Sequence, residues 1–285
     1  MSRSRQPPSR HGSASPPSQN DDLSTVRRVR GGLVLAVRHR LTQPIARRLR
    51  LGRCRQLHAV RRRLAPTRYT DCDPFALIEI DPERIARCVV ETAPKRPQWG
   101  RVVGGDWDRH GEPFADRAVP RGLKQRFIGG QPWEETALYD AFVDQLQRFG
   151  NAWGHRSMAG FAARCREVEA LYESLRRDGY RRQERLADVG HPRLAHRADE
   201  IGVDIGRDGT LYWRAYGQHR LALAQLLGFE SVPVVVHRRH RRWQERRDRL
   251  RAGEMSLDEI ETTDRSAGES IHPDLRAFGA AGNAR

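Results

Sequence analysis

Residues 201–236 constrain the fold more than any other part of the chain, because the strands and the helix predicted there are apolar and must pack against one another. The stretch from Ile201 to Trp213 is typical of a β-hairpin closed by a tight glycine-containing turn at 206–209. A helix follows from Gln218 to Leu227, and Pro233 to Val236 is a short β-branched strand with its proline at the start. This order predicts a compact α/β unit.

The helix start at Gln218 is the strongest candidate for a binding site. Leucine and alanine surround most of this helix, so it belongs in the core, yet its N-terminus must still satisfy free backbone N–H groups. Gly217 allows close approach of a ligand, and the positive end of a helix favours an anion. Arg220 adds a forked donor suited to phosphate, and His219 adds a second polar group. Gly217, Gln218, His219 and Arg220 are therefore predicted to bind a phosphate group or a nucleotide.

A purely architectural role for the same turn is the competing interpretation. In that case the turn only starts a helix, and Arg220 pairs with a carboxylate such as Glu200 or Asp204. Both interpretations stay open at the level of sequence.

The residues from Asp208 to Val236 resemble the ParB/sulfiredoxin superfamily. ParB-type members carry Gly-Glu-Arg-Arg at this helix start and bind a nucleoside triphosphate there, whereas sulfiredoxin carries Gly-Cys-His-Arg and uses ATP. Here Gln218 stands at the cysteine position, and an amide cannot act as a thiolate nucleophile, so sulfiredoxin chemistry is excluded. The residues that carry the resemblance are Gly217-Gln218-His219-Arg220-Leu221-Ala222-Leu223-Ala224, Leu227-Gly228 and Val232-Pro233-Val234.

The resemblance is best over residues 165–240 and has two upstream parts. The segments from Ile78 to Ile85 and from Leu171 to Tyr180 stand in the chain order of the family's first strand and helix and of its later helix. The resemblance implies an α+β fold, with a small mixed sheet and packed helices, and a nucleotide as ligand. No helix-turn-helix module is evident after residue 243, so DNA segregation of the partition type is not implied.

The domain boundaries follow from changes in composition. Residues 71–250 are predicted to form the α+β domain, with a long insertion at 86–160, and residues 251–285 to form a polar, peripheral tail. Within the domain, Phe75 to Ile80 is typical of a strand and Asp81-Pro82-Glu83 of a helix start. Further helices are predicted from Pro132 and, most clearly, from Phe161 to Arg177.

The positive charge is concentrated before the domain. Residues 1–70 hold 17 arginines and two acids, whereas the rest of the chain carries 35 basic and 34 acidic residues. Residues 1–22 lack large apolar residues after Met1 and are predicted to be disordered. Residues 23–70 form a basic leader in which Ile45 to Leu64 is predicted to form an amphipathic helix. The expected partners of residues 23–65 are an anionic membrane surface, nucleic acid, or none.

Asp106 and Asp108 are the candidate catalytic residues. They flank Trp107 on a glycine-rich loop, and two carboxylates can hold Mg²⁺ together with the phosphates of a nucleoside triphosphate. Such a site would support phosphoryl transfer or nuclease chemistry. The alternative is a turn stabilised by aspartate, with a tryptophan in the core.

Other metal sites and membrane spans have less support. His237 and His240 are spaced to share one helical face, but neighbouring arginines would repel a zinc ion, so a basic surface helix from His237 to Arg249, with Trp243 against the core, is expected. The four cysteines form no C-x-x-C pair, and no run of eighteen apolar residues exists. A cytoplasmic protein, peripheral to a membrane or to the nucleoid, is the expectation.

Three function classes stay open from the sequence. A nucleotide-dependent enzyme or switch requires Arg220 and a carboxylate pair to converge on one pocket. A nucleic-acid binder or nuclease requires the basic leader and the segment after 236 to form one positive surface. A peripheral membrane scaffold requires the segment 23–65 to fold on anionic lipid.

Overall fold

A mixed β-sheet forms the centre of the computed structural model, which describes residues 49–89, 98–186, 193–260 and 271–278. The chain divides into two units, Met1–Leu49 and Arg50–Arg285, and the sheet belongs to the second. The expectation of a disordered segment at 1–22 lies outside the described residues. The strands are β1 Leu77–Ile80, β2 Arg87–Cys88, β3 Arg101–Val103, β4 Glu112–Pro113, β5 Ile201–Ile205, β6 Leu211–Ala215 and β7 Val232–His240.

Strand β7 organises the sheet, whose order is β1-β7-β5-β6-β2-β4 with β3 paired to β7. It runs antiparallel to β1 but parallel to β3 and β5, while β5 and β6 form an antiparallel hairpin. All nine residues of β7 are buried. Its β-branched run from Val234 to Val236 suits such a strand, because a strand covered on both faces is continuously apolar.

Helices cover both faces of this sheet. They are α1 over residues 49–64, α2 Ala118–Phe127, α3 Ala137–Phe149, α4 Ala159–Asp178, α5 Gln183–Leu186, α6 Arg193–Arg197, α7 Gln218–Leu226 and α8 Arg241–Ala252. Val203 and Val234 point to a first face, whose core includes apolar side chains of α2, α3, α4 and α7. Val235 points to the second face and shares a core with Leu51 of α1 and Trp99. Successive residues of β7 thus supply both cores, as strand geometry requires.

The structure confirms the mixed α+β class, the β5–β6 hairpin, α4, α7 and a buried Trp243. The predicted helix start at Asp81-Pro82-Glu83 is wrong, because these residues form only a single 3-10 turn over Pro82–Arg84. The Asp81 carboxylate accepts a hydrogen bond from the Glu83 amide (2.9 Å) at its start. A good N-terminal cap is therefore present without the helix that such caps usually precede.

The predicted insertion at 86–160 contributes to the same sheet. It supplies β2, β3 and β4 as well as α2 and α3, so it extends the fold rather than forming a separate body.

The predicted peripheral tail is also part of the fold where the structure describes it. Asp274 is buried and accepts hydrogen bonds from Arg239 Nε (2.9 Å) and Trp243 Nε1 (2.9 Å). Arg247 lies 3.0 Å from the same carboxylate. Burial alone would raise the pKa of Asp274, but the two arginines hold it well below its usual range. Residues 271–278 therefore close the first face of the sheet.

Candidate functional site

The turn before α7 has the backbone expected of a ligand site. Tyr216 (φ 59°) and Gly217 (φ 62°) are both left-handed, and α7 begins at the next residue without a side-chain cap. A Cβ at Gly217 would lie 2.8 Å from Ile201 Cγ1, so glycine is required by space as well as by φ. The first N–H groups of α7 have no partner inside the helix and face the partly exposed turn.

Arg220 is engaged by groups of the protein itself. Its Nη1 donates to Glu200 Oε2 (2.9 Å) and to the Tyr180 hydroxyl (3.2 Å), and its Nη2 donates to the Asp199 carbonyl. Burial raises the pKa of Glu200, against hydrogen bonds from Gln183 and Arg220 that lower it. Arg220 therefore ties α7 to the segments around Tyr180 and Glu200, as the architectural interpretation of this residue predicts.

His219 is partly buried beside an arginine that the sequence did not single out. Arg164 of α4 donates from Nη2 to His219 Nδ1 (3.0 Å), and Trp153 meets the imidazole edge-on at 6.2 Å between ring centroids. Burial, with Arg164 adding to it, lowers the pKa of His219 to about 3. The imidazole is therefore neutral at pH 7. Arg164 and His219 are 55 residues apart, so no local pattern could have paired them.

Asp106 and Asp108 share Arg207, which lies in the turn between β5 and β6. Arg207 Nη2 is 2.7 Å from Asp106 Oδ1 and 2.7 Å from Asp108 Oδ1, and its backbone amide donates to Asp108 Oδ2 (2.7 Å). Burial would raise the pKa of Asp108, but hydrogen bonds from Arg207 keep it below its usual value. Trp107 lies 4.1 Å from the guanidinium of Arg238, which stands over its ring. This is the alternative expected of the loop, a carboxylate-stabilised turn with a packed tryptophan.

The carboxylate pair and the α7 turn do not converge. Arg207 precedes β6, whereas Gly217 follows its far end, and a strand of five residues spans roughly 16 Å. A nucleotide-dependent enzyme that uses Asp106 and Asp108 would require them to meet Arg220 in one pocket, and the two groups lie at opposite ends of β6. Arg207 and Arg109 together already pair with Asp106 and Asp108, so these carboxylates do not fit a Mg²⁺ site for a nucleotide bound at α7.

A buried polar cluster occupies the second face of the sheet. Asp204 Oδ2 accepts from Arg214 Nη1 (2.9 Å) and from Arg238 Nε (2.7 Å), so Asp204 is not the partner of Arg220. Among the residues that the structure describes, His237 beside them finds no hydrogen-bond partner for either ring nitrogen, and burial lowers its pKa to about 3. Trp99 and Tyr216 lie against the His237 ring, with centroids 5.7 and 5.8 Å away.

The predicted surface helix starting at His237 is wrong. β7 continues to His240, and α8 begins at Arg241. His237 faces the buried cluster, and His240 Nε2 contacts the Gly105 carbonyl (2.9 Å). Within the four described ranges, no group of three or more His, Cys, Asp and Glu side chains is placed to hold a metal ion.

A cavity of about 600 Å³ lies next to Tyr180 and is lined by three arginines, Arg181, Arg182 and Arg185. Two of them already have acidic partners, since Arg182 pairs with Glu79 and Arg181 lies 3.3 Å from Asp178. The cavity therefore has a small net charge, despite its arginines.

Comparisons with protein-family models, with curated proteins and with solved structures find no significant match to this chain. Among the described residues, no helix is both long enough and apolar enough to cross a membrane.

Proposed function

We propose that this protein binds a phosphate-bearing ligand, a nucleotide in the first instance, at the N-terminus of α7. The observation that supports the proposal most strongly is the position of Arg164, whose guanidinium contacts His219 in the first turn of that helix. The ligand's phosphate would accept hydrogen bonds from the free N–H groups that follow Gly217 and from Arg164.

The electrostatics favour an anion at this position. The N-terminus of a helix carries about half a positive charge, so an arginine beside it costs roughly 0.3–1 kcal/mol unless a negative group is present. Arg164 has an acidic partner in Glu167 (2.9 Å), but Glu167 is 57% exposed and such surface pairs contribute little. Arg164 Nε is buried and has no hydrogen-bond partner within the described part of the chain. A phosphate group would offset the unfavourable placement of this cation.

The ParB/sulfiredoxin-like resemblance supports the same proposal. Gly217-Gln218-His219-Arg220 starts a buried helix directly after a β-hairpin and before a parallel strand, β7, in the order that the resemblance implies. Arg220 acts here as a positioning residue, because its bond to Glu200 orients α7. We assign no phosphoryl transfer to the site, because Asp106 and Asp108 lie at the other end of β6.

Isothermal titration of the full chain with ATP, CTP, GTP, UTP and inorganic phosphate, with Mg²⁺ present, tests the proposal. The full chain is needed because Leu51 of α1 is buried in the core of the second face. We expect saturable binding of at least one ligand and a loss of about tenfold or more in affinity for Arg164→Gln, the effect of one charged hydrogen bond.

Arg166→Gln is the matched control, because Arg166 is exposed on the same helix and its removal subtracts the same charge. Equal losses in the two variants would show only a long-range charge effect and would contradict a site at Arg164. Absence of binding by a folded wild-type chain would overturn the proposal.

A further inference from the structure

Helix α1 has an inner face that is firmly attached to the domain. Leu51 is fully buried against Phe75 and Val235, and His58 Nε2 contacts the Thr70 carbonyl (3.0 Å). Arg62 donates to Asp248 of α8 (2.9 Å). Because Leu51, His58 and Arg62 lie seven and four residues apart, they define one side of the helix and fix which side faces outward.

The outward side carries a stripe of aliphatic residues. Leu57, Val60 and Leu64 are 40%, 50% and 81% exposed, and they are spaced by three and four residues. Residues at this spacing lie on one face of a helix, so the three side chains form a continuous apolar ridge opposite the buried face. Such a ridge on a helix that is already packed has no role in the domain core.

Exposed arginines flank this ridge. Arg50, Arg53, Arg61 and Arg63 are all exposed, and no acidic residue occurs between Asp22 and Asp71. At 100° per residue, Arg61 falls on one side of the ridge and Arg63 on the other, with Arg53 in line with it. The outer face of α1 therefore combines apolar contact area with a row of cations.

We infer that α1 is the membrane-docking surface of this protein and binds the interface of an anionic lipid bilayer. The three aliphatic side chains would enter the boundary between headgroups and acyl chains, while the arginines reach the lipid phosphates. Nucleic acid would match the charge but not the ridge, since proteins contact bases and backbone mainly with aromatic and polar groups. A second copy of the chain would match the ridge but bring like charges together.

Sedimentation of the full chain with vesicles tests this inference. Vesicles of phosphatidylcholine alone would be compared with vesicles containing about 30% phosphatidylserine, an anionic lipid. We expect binding to the anionic vesicles that is at least about tenfold stronger than to the neutral ones and that weakens as salt is raised.

Two sets of substitutions distinguish the contribution of the apolar ridge to vesicle binding from that of the positive charge. The triple variant Leu57→Gln, Val60→Gln, Leu64→Gln should lose about tenfold or more in affinity for anionic vesicles, because the buried apolar area is removed at constant charge. The control Ile128→Gln, Phe149→Gln removes exposed apolar side chains from α3 and the end of α2, on the other face of the sheet, and should bind like the wild type. Residues 1–48 carry further arginines that attract any polyanion, so the decisive quantity is the ratio between these two variants.

Equal affinity of the two variants would overturn the inference, as would binding to duplex DNA with none to vesicles. A dimer that the triple variant abolishes, without vesicle binding by the wild type, would assign the ridge to a second copy instead. Far-ultraviolet circular dichroism and thermal melting establish that each variant is folded. The inference does not depend on the site at α7, and the triple variant should bind phosphate ligands as the wild type does.

Discussion

The two ends of strand β6 both bring arginine together with polar groups, but the charges are balanced differently. At the hairpin turn, Arg207 is shared by Asp106 and Asp108, which hold it through four contacts shorter than 3.0 Å. At the α7 end, Arg164 stands beside the positive end of a helix and a neutral imidazole, with the exposed Glu167 as its acidic partner. The difference distinguishes an arginine that stabilises the fold from one that is suited to a ligand.

Arginine content alone could not make this distinction. The chain after residue 70 is almost electrically neutral, and many of its arginines are matched by carboxylates from distant parts of the sequence. The cluster of Asp204, Arg214 and Arg238 is one example, and the contacts of Asp274 with Arg239 and Arg247 are another. A cation is informative about function where the surrounding charges do not compensate it.

The largest effect on stability is expected at the hairpin-turn end of β6, where the arginine is paired with carboxylates. Arg207→Ala would leave the Asp108 carboxylate, which is almost completely buried, without its main partner, and should lower the free energy of unfolding by about 3 kcal/mol. Urea denaturation followed by tryptophan fluorescence measures this change. Phosphate-ligand binding at α7 should remain, because the substitution lies at the other end of β6.

Arg109→Ala is the control for this prediction. Arg109 also pairs with Asp106 (3.1 Å), but both side chains are well exposed, so its loss should change the free energy of unfolding by less than about 0.5 kcal/mol. A similar, small effect for both substitutions would show that the turn is not stabilised by charge balance.

The sequence predicted the local elements better than the contacts that distinguish the two ends. The hairpin, its glycine-containing turn and α7 follow from residues that are close in the chain, through alternation, turn chemistry and helical spacing. The bond between Arg207 and Asp108 joins residues 99 apart, and the bond between Arg164 and His219 joins residues 55 apart. Tertiary packing creates both pairs, so neither leaves a periodic signal in the sequence.

The end of β7 is a second example of a feature that local sequence patterns do not predict. The apolar run stops at Val236, and the next four residues are histidine and arginine, which favoured the interpretation as a surface helix. The strand continues because these polar side chains are buried with partners from elsewhere, such as Asp204 for Arg238 and Asp274 for Arg239. Hydrophobic pattern alone underestimates strands that end in buried ion pairs.

A smaller effect is expected from the acid titration of His219. Because the folded-state pKa is lowered to about 3, the unfolded chain binds more protons below its own pKa of about 6.5. The contribution of this histidine to stability is therefore fully present above about pH 6.5 and is lost as the pH falls toward 3. The free energy of unfolding should fall by about 2 kcal/mol less between pH 7 and pH 5 in His219→Gln than in the wild type.

Urea midpoints across this pH range measure the difference. His237, whose pKa is also lowered to about 3, titrates with the same sign in both proteins and cancels in the comparison. An identical pH dependence in the two proteins would mean that the imidazole at the α7 end is not held neutral, and it would remove one of the two features that distinguish this end of β6.

Only a small effect on stability is expected for Arg164→Gln, the substitution that should weaken ligand binding most. In the absence of ligand, Arg164→Gln loses a hydrogen bond to His219 but also removes a cation from the positive end of α7, and these changes oppose one another. The free energy of unfolding should therefore stay within about 1 kcal/mol of the wild type. With saturating phosphate or nucleotide, the wild type should gain stability in proportion to the logarithm of ligand concentration, and the variant should gain much less. Strong destabilisation of the variant in the absence of ligand would contradict the proposal. It would show that Arg164, like Arg207, stabilises the fold, because a cation that the fold requires must be paired with groups of the protein itself rather than with a ligand.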